Sequence, residues 1–383
     1  MRGFDLTPEQ ERLVDEARRF AEERVVPAAA GLEPQGAFCG EVLREMGERG
    51  YLGLPVPAEH GGGGDLVSFL LAVEEVARGW AAPGLAAGVS AMVALALGQH
   101  GTPAQKERYL PRMAKGEILG CFALTEPGAG SDAAALSATA TLCSAPGGDG
   151  YVIEGRKLFS TNAGEAGVYL VFAKTDPAAP GIKGISAFLV DAGTLGLEFG
   201  LPSDKWGMRG SVDREVFLNG CRVPASNRLG EEGQGFRIAL SALDTGRLAV
   251  AAQAVGVAQA SLDAAVAFVK ERQQFGAPLA RLQAVQFAAA DIACGVDAAR
   301  LLLHRAARMA ARGERCSAEI SMAKLFATEQ AMTAASKAVQ LHGGRGVTNA
   351  YPVGRYFRDA KVMEIYEGTS EIQRLVIARE VLG

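Results

Sequence analysis

Apolar residues open the chain at helical spacing: Leu13, Val14, Ala17, Phe20, Ala21 and Val25 share one face behind Thr7, Pro8 and Gln10. A threonine N-cap, proline in the first turn and glutamine three residues beyond the cap predict a helix beginning there. The helical period returns over residues 66–78, 91–97 and 103–115, with the glycines at 61–64 as a loop, so the chain to about residue 120 is predicted helical. Residues 80–105 carry no Asp, Glu, Lys or Arg, yet Pro83, four glycines, Gln99 and His100 interrupt them; they read as an interior helix, not a membrane span.

The texture changes after residue 120. "YVIEGRKLF", "GVYLVFAKT", "GISAFLVDA" and "REVFLNGCRVP" are short, rich in β-branched and aromatic residues, and separated by Gly, Pro and Asp, which predicts a β domain over 121–230. Beyond "EEGQGF" the helical period resumes in long runs, 236–269, 284–312, 317–341 and 371–382, dominated by Ala, Leu and Val. The expected fold is α+β and mostly α, in three regions: helices over 1–120, sheet over 121–230, and a helical bundle over 231–383.

Composition narrows the function. With 383 residues, 49% hydrophobic and 21% charged, the chain is long enough for two or three cores and unlike a disordered one. A net charge of -4 and a pI near 5.8 offer no basic surface, which argues against nucleic acid. Six cysteines (39, 121, 143, 221, 294 and 316) form no C-x-x-C pair and read as buried thiols of a reducing cytosol. His60, His100, His304 and His342 make no metal-binding spacing, so no metal site is expected. The opening twenty residues contain no apolar signal region, and a cytoplasmic location is expected.

Two short segments carry candidate chemistry. "GAGSDA" (128–133) matches the dinucleotide-binding phosphate turn G-x-G-x-x-[GA], but Pro127 precedes it and the alternation Leu136, Ala138, Ala140, Leu142 follows, without a βαβ unit. It reads as a turn, or as glycines that let backbone approach something closely. "IYEGTSEIQR" (365–374) sets Glu367 just ahead of the last predicted helix, with Ser370 and Gln373 fitting a capping box. A carboxylate there either neutralises a helix dipole on a solvated surface or is held in a pocket to move a proton.

Together, "CFALTEPGAGSD" (121–132), "KLFSTNAG" (157–164), "DKWGMRGS" (204–211), "RQQFG" (272–276), "QLHGGRG" (340–346), "RYFRDAKV" (355–362) and "IYEGTSEIQR" stand in an order and spacing that resembles the acyl-CoA dehydrogenase family, short- and medium-chain-like branch, over nearly the whole chain. The resemblance implies an N-terminal helical domain, a middle β domain and a C-terminal four-helix bundle, with FAD held between domains and across a subunit interface. It implies an oxidoreductase acting on CH–CH donors that converts a saturated acyl-CoA thioester to trans-2-enoyl-CoA. Glu367 would remove the α-proton while the β-hydrogen leaves as hydride to flavin N5, and the electrons would pass to an electron-transfer flavoprotein. Such a base has to be dehydrated and aligned, because an α-C–H beside a thioester is a very weak acid.

Some branches of the family place the base just before the arginine of L-D-x-x-R; here "LDTGR" (243–247) has Gly246, which leaves Glu367. By the same resemblance Leu124, Thr125, Phe159 and Thr161 would meet the flavin, Phe159 standing where the family usually has tryptophan, and Ser131 the pyrophosphate. Arg272, Phe275, Gln283, Gln340, Gly343 and Gly344 would reach the FAD of a neighbouring subunit, with Thr369 and Gln373 completing the site. Ser131, Asp244, Arg247, Tyr366 and Gly368 would lie along the acyl-CoA, although an Arg247–Asp244 ion pair is an equally good structural reading. A homotetramer, a dimer of dimers, is implied. Rival readings on the same scaffold are an oxygen-using oxidase or monooxygenase, against which Glu367 counts, and a non-catalytic or DNA-associated scaffold, which lacks a basic surface.

Overall fold

The computed structural model describes residues 6–145 and 148–383. It begins with α1 (Pro8–Phe20), which runs through a π turn (Ala21–Val25) into α2 (Val26–Leu32), followed by α3 (Gly40–Glu48), α4 (Leu66–Gly79), α5 (Ala81–His100) and α6 (Pro103–Ala114). Thr7 caps α1 as expected: its side chain accepts from Gln10 N–H, and the Gln10 side chain takes the Thr7 N–H. Thr102 and Gln105 repeat the device on α6. The interior helix expected from the uncharged stretch is α5, and it stops at His100 because Gly101 and the Thr102 cap break it. It extends back to Ala81, well before 91, since Pro83 sits in the first turn where its missing N–H costs nothing.

Eight strands make one sheet: β1 (Gly120–Ala123), β2 (Thr139–Ala145), β3 (Gly148–Thr161), β4 (Val168–Lys174), β5 (Ile185–Asp191), β6 (Leu197–Phe199), β7 (Asp213–Pro224) and β8 (Arg228–Leu229). Their order is β6-β7-β3-β2-β4-β5-β8, with β1 parallel beside β4. β4 and β5 are buried along almost their whole length, which is why they read as unbroken apolar runs. The alternation expected through Leu142 ends at Ala140, and Leu142 is exposed near the end of β2. The β3–β7 ladder shifts register between Lys157 and Ser160, and this bulge turns Phe159 out of the pleat.

The C-terminal part is α7 (Gly235–Glu271), a small hairpin of β9 (Gln273–Gln274) and β10 (Ala277–Pro278), then α8 (Gln283–Ala311), α9 (Ser317–His342), α10 (Val353–Met363) and α11 (Ser370–Leu382). α10 was not predicted as an element; its buried face is Val353, Tyr356, Asp359, Ala360 and Met363. α7 packs on α4, α5, α8 and α9, so it is the spine joining the first helical layer to the bundle. α5 and α7 are long and apolar enough to cross a membrane, but 89% and 61% of their most apolar windows are buried inside the protein, as interior helices require. The buried-thiol expectation holds for Cys39, Cys121, Cys221 and Cys316; Cys143 is half-buried and Cys294 is exposed on α8, a helix whose first half has few buried positions.

One loop ties the three parts together. Trp80 Nε1–H donates to Arg209 O (3.1 Å), Cys39 N–H to Gly210 O (2.9 Å), and Met208 N–H to the fully buried Asp359 carboxylate (2.6 Å). The Arg209 guanidinium reaches Glu33 O and Pro34 O, while Arg358 pairs with Glu33 at 2.5 Å.

Candidate active site

Between α10 and α11 the chain makes a left-handed turn, with φ of +55° at Glu367 and +90° at Gly368. The cap of α11 is Thr369, whose side chain accepts from Ile372 N–H (3.4 Å); the Ser370–Gln373 capping box is therefore corrected by one residue. Thr369 has the extended backbone that a cap needs, and Ser370 is already in the helix with its Oγ buried and unpartnered. Gln373 is fully buried and reaches back into the turn, donating to Glu367 O (3.2 Å) and Gly368 O (2.9 Å). Lys324 of α9, also fully buried, donates to Gly368 O (2.9 Å).

Glu367 is half-buried, with one carboxylate oxygen turned inward. It lies over Gly246 of α7 beside Met92 of α5: a Cβ built on Gly246 would stand 2.7 Å from Glu367 Oε2, 2.9 Å from its Cδ and 2.7 Å from Met92 Sδ. Oε2 is buried with no hydrogen-bond partner. Burial raises the carboxyl from 4.5 to about 7, opposed by the charges of Arg247 and Lys324. A dehydrated carboxylate that titrates near neutrality is matched to accepting a proton. This placement favours the pocket reading over the dipole-neutralising one, because a fully solvated carboxylate would keep its ordinary acidity.

Neighbouring groups are themselves fixed. Tyr366 Oη donates to Oε1 of Gln253 (2.7 Å), a buried residue of α7, and burial together with the Glu367 charge pushes its phenol well up. Arg247 pairs with Asp244 at 2.8 Å, the ion pair that the sequence allowed, and Ser317 Oγ donates to the other Asp244 oxygen (3.2 Å). The Arg247 Nε is buried without a partner. Glycines let α5 and α7 approach: a Cβ on Gly84 would meet the Gln253 side chain at 3.1 Å, and one on Gly88 the Ala249 Cβ at 3.0 Å.

The sheet contributes a second group. Leu124 and Thr125 follow β1, and Thr125 O accepts from Leu158 N–H (2.8 Å), which sets them beside Phe159. Lys157, fully buried, fixes this edge by donating to Leu124 O (3.3 Å), Phe172 O (2.6 Å) and the Glu126 carboxylate (2.7 Å). Phe159 has φ of +51° and is 69% exposed; Thr161 Oγ1 donates to Asp213 (2.5 Å). Asn162 Nδ2 reaches Ala86 O of α5 and Gly120 O, both at 3.0 Å, while Asn162 Oδ1 and Ser160 Oγ are buried without partners. Asn162 thus meets α5 at Ala86, about 9 Å along the helix axis from Met92, which borders the same point of Gly246 as Glu367. "GAGSDA" begins within a closed turn over 126–129, where Glu126 and Ala129 exchange backbone hydrogen bonds (3.0 and 3.1 Å), and Ser131 is exposed; a short 3-10 turn (Ala133–Ala135) follows in place of the helix a dinucleotide fold requires.

The third group of expected residues is not near Glu367. Arg272 and Phe275 sit on the β9–β10 hairpin, Gln283 is exposed at the start of α8, and Gln340 is exposed at the end of α9. Phe275 is 91% exposed with φ of +54°, and nothing lies within 4 Å of where a Cβ would fall on Gly343 or Gly344. His342 stacks on Phe268 (4.2 Å between centroids), bringing the glycine turn to the same end of α7 as Arg272. The exposed Phe275 and the open glycine turn leave this end of α7 accessible to a ligand. The exposed Phe159 and the two orphaned polar atoms beside it fit the other end of such a ligand.

Sequence reasoning passed over Lys324, Gln253, Asn162 and Met92. Lys324 alone left a legible signal: it interrupts the apolar stripe Ile320, Ala323, Ala327, Ala331 of α9.

Family profiles described as the N-terminal, middle and C-terminal domains of acyl-CoA dehydrogenase match residues 7–117, 121–221 and 233–382. A relative named acryloyl-CoA reductase (NADH), from Anaerotignum propionicum, is 45% identical over 380 residues, covering 99% of this chain and 96% of its own. Among solved structures, butyryl-CoA dehydrogenase from Megasphaera elsdenii superposes with a TM-score of 0.96 at 39% identity, covering 99% and 100% of the two chains. A chain from a structure titled for the electron transferring flavoprotein of Acidaminococcus fermentans gives 0.96 at 42% identity, covering 99% of each.

Proposed function

The chain belongs to the acyl-CoA dehydrogenase family of FAD-dependent oxidoreductases, and we propose that it removes the α-proton and β-hydride of a short saturated acyl-CoA, with Glu367 as the base. The observation that carries this reading is the buried, unpartnered Glu367 Oε2, held over Gly246 in a left-handed turn. The site provides no other oxygen acceptor at that point on α7, because residue 246 has no side chain. Bound FAD supplies the acceptor for the β-hydride.

The protein's part is to place and dehydrate the base. Entry of the acyl chain displaces the remaining water from Glu367, which further raises its affinity for the α-proton. The Glu367 N–H donates to the thioester oxygen as charge develops there, and Tyr366 and Gly368 flank the acyl group. Asp244 holds Arg247 along the thioester arm. Leu124, Thr125, Phe159 and Thr161 hold the flavin ring and Ser131 the pyrophosphate, on which Thr369 and Gln373 border. Arg272, Phe275, Gln283, Gln340, Gly343 and Gly344 serve the FAD of a neighbouring copy, so the working form is a tetramer built as a dimer of dimers. The names of the butyryl-CoA and acryloyl-CoA relatives favour a three- or four-carbon acyl group, and the electrons pass to an electron-transfer flavoprotein in the cytosol. In the reductase direction the same transfers run backwards, with Glu367 delivering the proton.

The test is the visible spectrum of the purified protein, recorded anaerobically before and after butyryl-CoA, isobutyryl-CoA and octanoyl-CoA. Bleaching is expected fastest with butyryl-CoA and absent in Glu367→Gln. Bleaching of that variant at the wild-type rate would remove Glu367 from the reaction.

A further inference from the structure

Lys324 is a lysine that α9 has no packing reason to contain. On the buried face of α9 it lies among Ile320, Ala323, Ala327 and Ala331 and the small hydroxyl residues Ser321 and Thr328, all uncharged, and it is as buried as they are. An apolar side chain would fill the position without the several kcal/mol that a dehydrated ammonium costs. No carboxylate lies within ion-pair distance of it among the described residues. Its hydrogen bond is to Gly368 O, 2.9 Å away, in the residue following Glu367.

The surroundings decide what the charge is for. Around Glu367 the charged and titratable groups are Arg247 from α7, Lys324 from α9 and Tyr366 in the turn itself; Glu364 and Glu371 act on Lys324 from the flanks of the turn. Arg247 is engaged by Asp244. Gln373 holds the turn from α11 with a neutral amide. Lys324 is therefore the cation bonded directly to the turn that carries the carboxylate, and the one there not offset by an ion pair. Burial lowers it to about 8, with the Glu367 charge acting in the opposite sense, so the two groups support each other's ionised forms.

We propose that Lys324 is a positioning residue for proton abstraction: its ammonium anchors the Gly368 carbonyl, fixing the left-handed turn that aims Glu367, and its charge keeps the Glu367 carboxylate ionised in a dehydrated site. This rests on the reading of Glu367 as the base.

The two roles separate by substitution in the FAD-loaded protein. Lys324→Gln keeps an amide donor for Gly368 O and removes the charge, whereas Lys324→Met removes both. Anaerobic flavin reduction by butyryl-CoA is followed against pH in both variants, in wild type and in Glu367→Gln. In parallel, the infrared carboxyl band that Glu367→Gln lacks is titrated without substrate. Lys324→Gln is expected to move the acid limb and the infrared titration up together by about one pH unit, slowing reduction up to about tenfold below neutrality, with KM little changed. Lys324→Met is expected to lose a further several-fold in the pH-independent rate, with flavin content retained. If Lys324→Gln leaves both the acid limb and the infrared titration where wild type has them, the charge has no such role and the proposal is overturned, even where Lys324→Met fails to fold. If instead Glu367→Gln reduces flavin normally while the infrared titration still moves, the base assignment fails and the electrostatic coupling stands.

Discussion

Replacing Gly246 by alanine tests the site with a single methyl group. The new Cβ would fall 2.7 Å from Glu367 Oε2 and 2.9 Å from its Cδ, against ordinary contacts of about 3.5–4.0 Å. Met92 Sδ, at 2.7 Å, can swing aside because its chain is unbranched, but Glu367 is anchored by a turn whose carbonyls are held by Lys324 and Gln373. The carboxylate has to withdraw by about 1 Å, a displacement that can cost on the order of a hundredfold in rate. Stability responds differently, since alanine in a helix interior gains about 1 kcal/mol over glycine while overpacking costs about 1–3 kcal/mol. The net change is a loss of about 0–2 kcal/mol. Single-turnover flavin reduction under butyryl-CoA saturation, with thermal unfolding of the same preparation, is the assay. A folded, flavin-replete Gly246→Ala protein that reduces flavin at the wild-type rate would refute the placement of Glu367 against α7.

Three further outcomes are expected. Because burial holds Glu367 near 7 in the folded protein, the unfolded chain ionises it first, so stability falls as pH rises from about 4.5 to 7 and the full penalty stands above 7. Each tenfold change in proton affinity between the folded and unfolded chain is worth about 1.4 kcal/mol; reduced for the partial exposure of the residue, this should make Glu367→Gln about 1–3 kcal/mol more stable than wild type at pH 8. Denaturant titrations at pH 8 and pH 5 check this, since the advantage should shrink at the lower pH. Gly210→Ala places a Cβ 1.9 Å from the Trp80 ring at φ of +106° and is expected to destabilise by at least about 3 kcal/mol, which expression yield and Tm will show. Arg272→Ala, on an exposed hairpin, should leave the subunit fold unchanged within about 0.5 kcal/mol while lowering retained FAD, read as the ratio of flavin to protein absorbance after gel filtration.

The elements most legible in the sequence were those whose signals are local. Thr7 and Thr102 each carry the hydroxyl, proline and glutamine that a helix start requires, and both caps formed. The apolar runs of β4 and β5 were clear because strands buried on both faces need no alternation. What stayed hidden depends on contacts between distant segments. Gln253 reads as one more polar position on a long helix until Tyr366, 113 residues away, is seen to donate to it. The α11 cap slipped by one residue because Thr369 and Ser370 are chemically equivalent caps; the choice was made by the turn, which needs Ser370 N–H for Glu364 O (3.0 Å). Residues around the β9–β10 hairpin and the Gly343–Gly344 turn have no role legible from local pattern, because they are exposed and make few contacts within the chain.

Glu367 brings together liabilities that a folded protein ordinarily avoids. A side chain with a Cβ at positive φ costs about 1–2 kcal/mol, a buried carboxylate oxygen without a donor costs about 1–3 kcal/mol, and a dehydrated ammonium on α9 is added beneath the same turn. Glycine at 367 would relieve the first, an apolar side chain of similar size at 367 the second and methionine at 324 the third. Alanine at 246 would improve α7 as a helix but would crowd the Glu367 carboxylate and Met92. Local rules broken at one point, by residues from α5, α7, α9 and the α10–α11 turn that otherwise obey them, mark where stability has been given up for chemistry. Under the proposed role of Glu367 as the base these liabilities share one use: strain aims the carboxylate, burial raises its basicity, and the Lys324 charge favours its ionised form.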